Sequence, residues 1–193
     1  MVLTPSTMLD LGTKAPNFTL ADPHGTTFDL SAQTMDKGLL VIFMCNHCPY
    51  VIHIREKLVQ RIREYQDQGI TVVAINSNDY TTHPDDSPER MAQDMKEFGY
   101  SFPYLVDDDQ AVAKSYEAAC TPDIYLFDKD KKLVYRGQFD SARPGSTTPI
   151  TGEDLTAAVS QMLEGKEIGT VQQPSMGCNI KWKAGNEPSY FGT

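Results

Sequence analysis

The stretch 38-GLLVIFMCNHCPYVIHIREKL-58 decides the reading of the chain. Its first half, Leu39 to Phe43, is uniformly apolar and β-prone, as a central strand covered on both faces must be. From Pro49 onward the pattern becomes helical. Val51, Ile54, Leu58 and Ile62 recur at three- and four-residue steps, and Gly69 ends the run. Between strand and helix lie Cys45 and Cys48, separated by Asn46 and His47. Two thiols three residues apart at a helix start can share one face and lie close enough to bond. The unpaired N–H groups and positive dipole end of such a helix favour a thiolate, to which a protonated His47 would add. This predicts Cys45 as a low-pKa nucleophile, with the pair exposed at the carboxyl end of its strand.

The rest of the chain fits around that junction. Residues 12–30 hold two short extended pieces about the turn signal Asp22-Pro23-His24-Gly25, an N-terminal hairpin. A second buried strand runs over 70–76. A polar loop then leads to a helix capped by Ser87, with Pro88 at its first position and Gly99 at its end. A strand over 102–107 and a helix through 110–118 follow. The segments "PDIYLFD" and "KLVYRGQFD" flank "KDKK" as a hairpin, and "DLTAAVSQMLEG" gives a last helix. The tail, 166–193, lacks periodicity, yet Cys178, Trp182, Tyr190 and Phe191 are costly to leave in water, so it is expected to pack on the body. The order predicts an α/β domain over 1–193, with a mixed, mostly parallel sheet and helices on both faces.

Composition narrows the functional classes. The chain has 193 residues, 40% hydrophobic and 22% charged, with a net charge of −9 and no basic cluster. Nucleic acid and anionic membrane surfaces are therefore poor partners. No apolar run approaches the length of a membrane span, and the start shows no secretory pattern. Read as a whole chain, the sequence predicts a cytoplasmic protein. Four cysteines are too few for a disulfide scaffold, and in a reducing compartment a close pair reads as catalytic or metal-binding. A metal site at Cys45, Cys48 and His53 is disfavoured, because His53 lies more than one helical turn beyond Cys48 and no second pair completes a tetrahedron. No metal is expected. Asp107-Asp108-Asp109 lacks the spacing of a calcium loop, and His24 and His83 read as loop residues.

On "APNFTL" at 15–20, "CNHC" at 45–48 and "CTPDIYLFD" at 120–128, the chain resembles the thioredoxin superfamily, in its redoxin or AhpC-TSA-like branch, over about residues 10–165. The resemblance implies a thioredoxin-like fold and a thiol–disulfide oxidoreductase. Cys45 would attack, Cys48 would resolve, and Asn46 and His47 would tune the potential. Pro122 would be cis and face the disulfide, while the exposed backbone of Thr121 paired with an extended substrate. No organic cofactor is implied; electrons would pass between protein or small-molecule disulfides and a partner dithiol protein. A histidine before the second cysteine is similar to DsbA, whose reactive thiol has a pKa of about 3.5, so a potential more oxidising than that of thioredoxin is expected.

The chain also departs from the pattern. Met44 replaces the usual tryptophan and Leu39 the buried carboxylate. A peroxiredoxin reading with Cys48 as peroxide-reactive thiol finds Cys45 at the motif's threonine position, Val41 at its proline and Pro122 at its arginine. A Sco-like copper protein would need one more residue between the cysteines. Cys120, two residues before Pro122, should lie near the pair, and Cys178 could reach the same face. Both are candidate auxiliary redox cysteines.

Overall fold

The computed structural model describes residues 3–192, so the outermost residues of the expected 1–193 unit lie outside the description. Its strands are β1 (Leu3–Pro5), β2 (Thr19–Ala21), β3 (Thr27–Asp29), β4 (Gly38–Phe43), β5 (Ile70–Asn76), β6 (Tyr104–Val106), β7 (Cys120–Thr121), β8 (Asp123–Asp128), β9 (Leu133–Arg136) and β10 (Met176–Asn179). The helices are α1 (Pro49–Asp67), α2 (Pro88–Glu97), α3 (Ala111–Ser115) and α4 (Glu153–Leu163).

Seven strands form one sheet in the order β3-β2-β6-β5-β4-β8-β9. Parallel pairing is confined to its centre, β4 with β5 and β5 with β6. The flanks are antiparallel, because β2 and β8 run back against β6 and β4 and each turns into a hairpin with β3 or β9, so the sheet is mixed rather than mostly parallel as expected. The apolar run of β4 explains its position. Leu40 and Ile42 enter a core shared with α1, α2 and α4, whereas Leu39, Val41 and Phe43 enter a second core under α3. A strand with side chains in two cores has no face left for water.

Helix α1 starts and stops where its residue types require. Pro49 occupies its first position, and Val51, Ile54, Leu58 and Ile62 are buried. Gly69 takes a left-handed φ of +91° just past its end. Ser87 caps α2 by accepting the Arg90 N–H. One expectation about this junction is corrected. Cys48 is the N-cap of α1, and Cys45 precedes the helix, because Pro49 is better accommodated at the first helical position than further in.

The aperiodic tail does pack back, partly as a strand that local pattern did not signal. β10 lies between β1 and β7 in a second, three-stranded antiparallel sheet. Beyond it, the buried Gln110 side chain donates to Lys181 O and accepts from the Lys183 N–H. Phe191, expected to be buried, is instead 46% exposed. Gly177 makes the β10–β7 approach possible. A Cβ there would sit 1.9 Å from the Thr121 carbonyl oxygen.

Replacing Gly177 by Ala is expected to cost roughly 1–3 kcal/mol through this overlap. The urea midpoint should fall, and amide exchange should quicken at Thr121 and Cys178 before the central strands. An unchanged midpoint would show that β10 tolerates displacement.

Candidate active site

The carboxyl end of β4 delivers Met44 and Cys45 into the bend before α1. Both cysteines are buried, Cys45 at 1% and Cys48 at 0% exposure, contrary to the expected open rim. The cause is what lies over them: the loop carrying Asp86 on one side and β10 on the other. The two thiols lie close enough to shift each other's ionisation, and both converge on Thr121. Cys45 Sγ is 3.4 Å from Thr121 Oγ1, and Cys48 Sγ donates to the Thr121 carbonyl at 3.1 Å. The Thr121-Pro122 bond is cis, as the resemblance implied.

Thr121 is nonetheless not an open edge. Its backbone is already paired, with Cys178 of β10 directly opposite. The expected substrate groove is therefore occupied by the chain's own tail, because two unpaired strand groups beside a buried site must find partners. The same pairing separates the two auxiliary cysteines. Directly opposed residues point to one face of a sheet and their neighbours to the other. Cys178 shares the face of Thr121, packs in one core cluster with Cys48 and is influenced by it. Cys120 faces away, its thiol aimed at the carbonyls of Pro122 and Ser175.

Asn46 and His47 are held by Asp86, which the sequence reading passed over within "HPDDSP". Asp86 Oδ1 accepts the backbone N–H groups of Asn46 at 2.8 Å and His47 at 3.3 Å. Its Oδ2 accepts the Asn78 amide at 2.7 Å and lies 2.7 Å from His47 Nδ1. Asn46 accepts from Tyr104 and donates to the Asp85 carbonyl. His83, expected to be a plain loop residue, stacks on His47 with ring centroids 5.5 Å apart. A run of acids just before a proline-led helix was the available signal, but nothing local tied it to a turn 40 residues earlier.

Charge is distributed unlike the expectation. Burial pushes the Cys45 thiol well up, and the neighbouring Cys48 and Asp86 charges add to that. Cys48 is held down to about 4, chiefly by the Cys45 thiol donating to it, with Thr121, Cys178 and the Val51 N–H at the helix start assisting against burial. The direction of the two shifts favours the thiolate on Cys48 rather than Cys45, chiefly through the neighbouring Cys45 thiol and with the helix start assisting. Burial alone would raise Asp86, yet His47 and Asn78 hold it below the ordinary carboxylate range. His47 is raised, first by its bond to Asp86. At the position where thioredoxins bury an acid, Leu39 lies in the core. Asp86 is the carboxylate that faces the pair instead. Another buried acid, Asp123, is pushed up to about 6 by burial but serves Ala119 and Tyr125 in the opposite core.

Among the described residues, one donor set could hold a metal. Ligand atoms of Cys45, His47 and Asp86 lie within 4.8 Å of one another. This group excludes His53, the third ligand weighed from sequence, because that residue sits on α1 beyond the turn.

Known proteins bear on the site at three levels. The model of the AhpC/TSA family matches residues 11–136. A hypothetical protein from Sinorhizobium meliloti is 51% identical, with a TM-score of 0.92 over 94% of this chain and 99% of its own. The thiol-disulfide oxidoreductase ResA of Bacillus subtilis is 27% identical over 123 residues. That match spans 64% of this chain and 64% of that relative's length. The thioredoxin domain of a thiol-disulfide oxidoreductase from Bacteroides vulgatus, at 21% identity and a TM-score of 0.59, covers 78% of this chain and 99% of its own, and shows that the fold is thioredoxin-like.

The pH behaviour of the His47–Asp86 pair follows from its two shifts. The raised His47 stabilises fully below the ordinary imidazole value of 6.5, and this is lost as pH rises through its folded value. The lowered Asp86 stabilises fully above 3.8, and this is lost as pH falls through its folded value. The pair is therefore strongest between those limits. Asp86→Asn is expected to lower the His47 pKa, read by NMR titration, and to cost roughly 1–3 kcal/mol from lost bonds. An unmoved His47 titration would break the link.

Proposed function

The chain belongs to the AhpC/TSA family, and on that ground we propose that it is a thiol–disulfide oxidoreductase cycling Cys45 and Cys48 between dithiol and disulfide. One observation carries the reading: the two thiols both meet Thr121, beside the cis Pro122. A thiolate on Cys48 attacks a visiting disulfide, and Cys45, alongside it, resolves the mixed disulfide and leaves the internal bond. These roles reverse the order expected from the sequence, following the charge. Asp86, with a carboxylate oxygen within 4.8 Å of the Cys45 sulfur, is the charge that disfavours a thiolate there.

Burial sets the terms of access. Neither sulfur meets solvent, so a substrate disulfide engages when β10 or the Asp86 loop gives way. A partner dithiol protein in a reducing cytoplasm supplies electrons for the next cycle. Stabilisation of the reduced form by the Cys48 thiolate makes the couple more oxidising than thioredoxin.

Titration against glutathione buffers, with thiols trapped in acid and mapped, tests this directly. A Cys45–Cys48 disulfide is expected, with a midpoint above the roughly −270 mV of thioredoxin. Cys45→Ser and Cys48→Ser should each reduce turnover of a small aromatic disulfide to background. Cys48 as a helix-capping thiolate also favours peroxide reduction as a second reading. Peroxide consumption lost in Cys48→Ser but kept in Cys45→Ser would decide for it.

A further inference from the structure

The dithiol reading uses two of the four buried cysteines, although three of them meet. Thr121 fixes the geometry. Its hydroxyl faces Cys45, its carbonyl takes the Cys48 thiol, and Cys178 stands directly across the β7–β10 ladder on the same face. Cys48 and Cys178 thus meet the same residue from two sides, and each shifts the other's ionisation. All three lie in one core cluster with α1, and Cys178 is only 4% exposed. The approach is built in, since only glycine at 177 lets β10 come down on the Thr121 carbonyl. Cys120, one residue away, is on the opposite face of the ladder and lies outside this cluster. Strand alternation has selected one auxiliary cysteine from two.

We propose that Cys178 is a third redox cysteine, which attacks Cys48 in the Cys45–Cys48 disulfide and moves the bond to Cys48–Cys178. The step rests on the dithiol reading above. It forms one S–S bond and breaks one, with no net oxidation: the Cys178 sulfur becomes half of the new disulfide, the Cys45 sulfur leaves with the electron pair, and the proton given up by Cys178 passes to Cys45. Disulfide exchange needs this arrangement of attacking, central and leaving sulfurs, and no other reactant.

Ionisation favours the same sequence of events. In the reduced protein Cys178 is pushed up to about 12, first by burial and then by its bond to the charged Cys48. Once Cys48 enters a disulfide its charge is gone, and with it that second influence, while Lys181 continues to pull the Cys178 thiol down. Cys178 therefore becomes a better nucleophile only after the first disulfide exists. The exchange also pins β10 covalently to the start of α1 and frees Cys45 as a single thiol beside Asp86.

The full chain, as wild type, Cys45→Ser and Cys178→Ser, is oxidised with glutathione disulfide, quenched in acid, alkylated and mapped by peptide mass. Circular dichroism establishes that each variant is folded. The wild type is expected to carry both Cys45–Cys48 and Cys48–Cys178, Cys178→Ser only the former and Cys45→Ser mainly the latter. Cys120 should remain a thiol throughout. Should Cys45→Ser fail to fold, the wild-type map decides alone. Absence of Cys48–Cys178 from every folded sample, with Cys45–Cys48 present in the wild type, overturns the third-cysteine proposal and leaves the dithiol reading standing. Absence of Cys45–Cys48 from Cys178→Ser overturns the dithiol reading itself.

Discussion

Thr121 is the point on which the site depends. Its carbonyl takes one thiol, its hydroxyl meets the other, its peptide bond to Pro122 is cis, and its backbone is paired to the tail. Each contact requires the others. The sulfurs lie close together because one residue holds both, and the tail lies over them because that residue's remaining backbone groups had to be satisfied in a water-excluded place. A two-residue strand thereby joins the main sheet, through β8, to the small sheet that covers the chemistry.

Asp86 performs a complementary task on the other side of the pair. The bend 44–47 has no ladder of its own, so its N–H groups need an acceptor, and a buried carboxylate supplies it. That carboxylate in turn needs compensation, which His47 and Asn78 provide. The negative charge is thus placed beside Cys45 while the helix N-terminus stands beside Cys48. The two cysteines, alike in sequence, become unlike in ionisation, and the thiolate settles where the backbone donates.

Burial links fold to reactivity. An enclosed dithiol is protected from adventitious oxidation, and each hydrogen bond within it is stronger than it would be in water. The same enclosure makes access a conformational event, drawn from segments held by short ladders and polar loops rather than by the central strands. β10 pairs over only two residues with β7.

The sequence by itself determined the elements of the main sheet and its helices, and their order, but not the small sheet of β1, β10 and β7. The apolar run of β4, the helical spacing after Pro49, the Ser87 cap and the hairpin around "KDKK" are local patterns, and local physics produced them. It also determined that Cys45 and Cys48 would meet at a strand–helix junction. Tertiary structure alone decided which sulfur carries charge, which residue supports the bend, and whether the pair meets solvent. Asp86, Thr121 and Cys178 act on the cysteines across separations of 38 to 133 residues, and no periodicity encodes such a contact. β10 was illegible for the same reason: with a glycine and a cysteine at its centre it has little strand propensity, and it is a strand because β1 and β7 offered it partners.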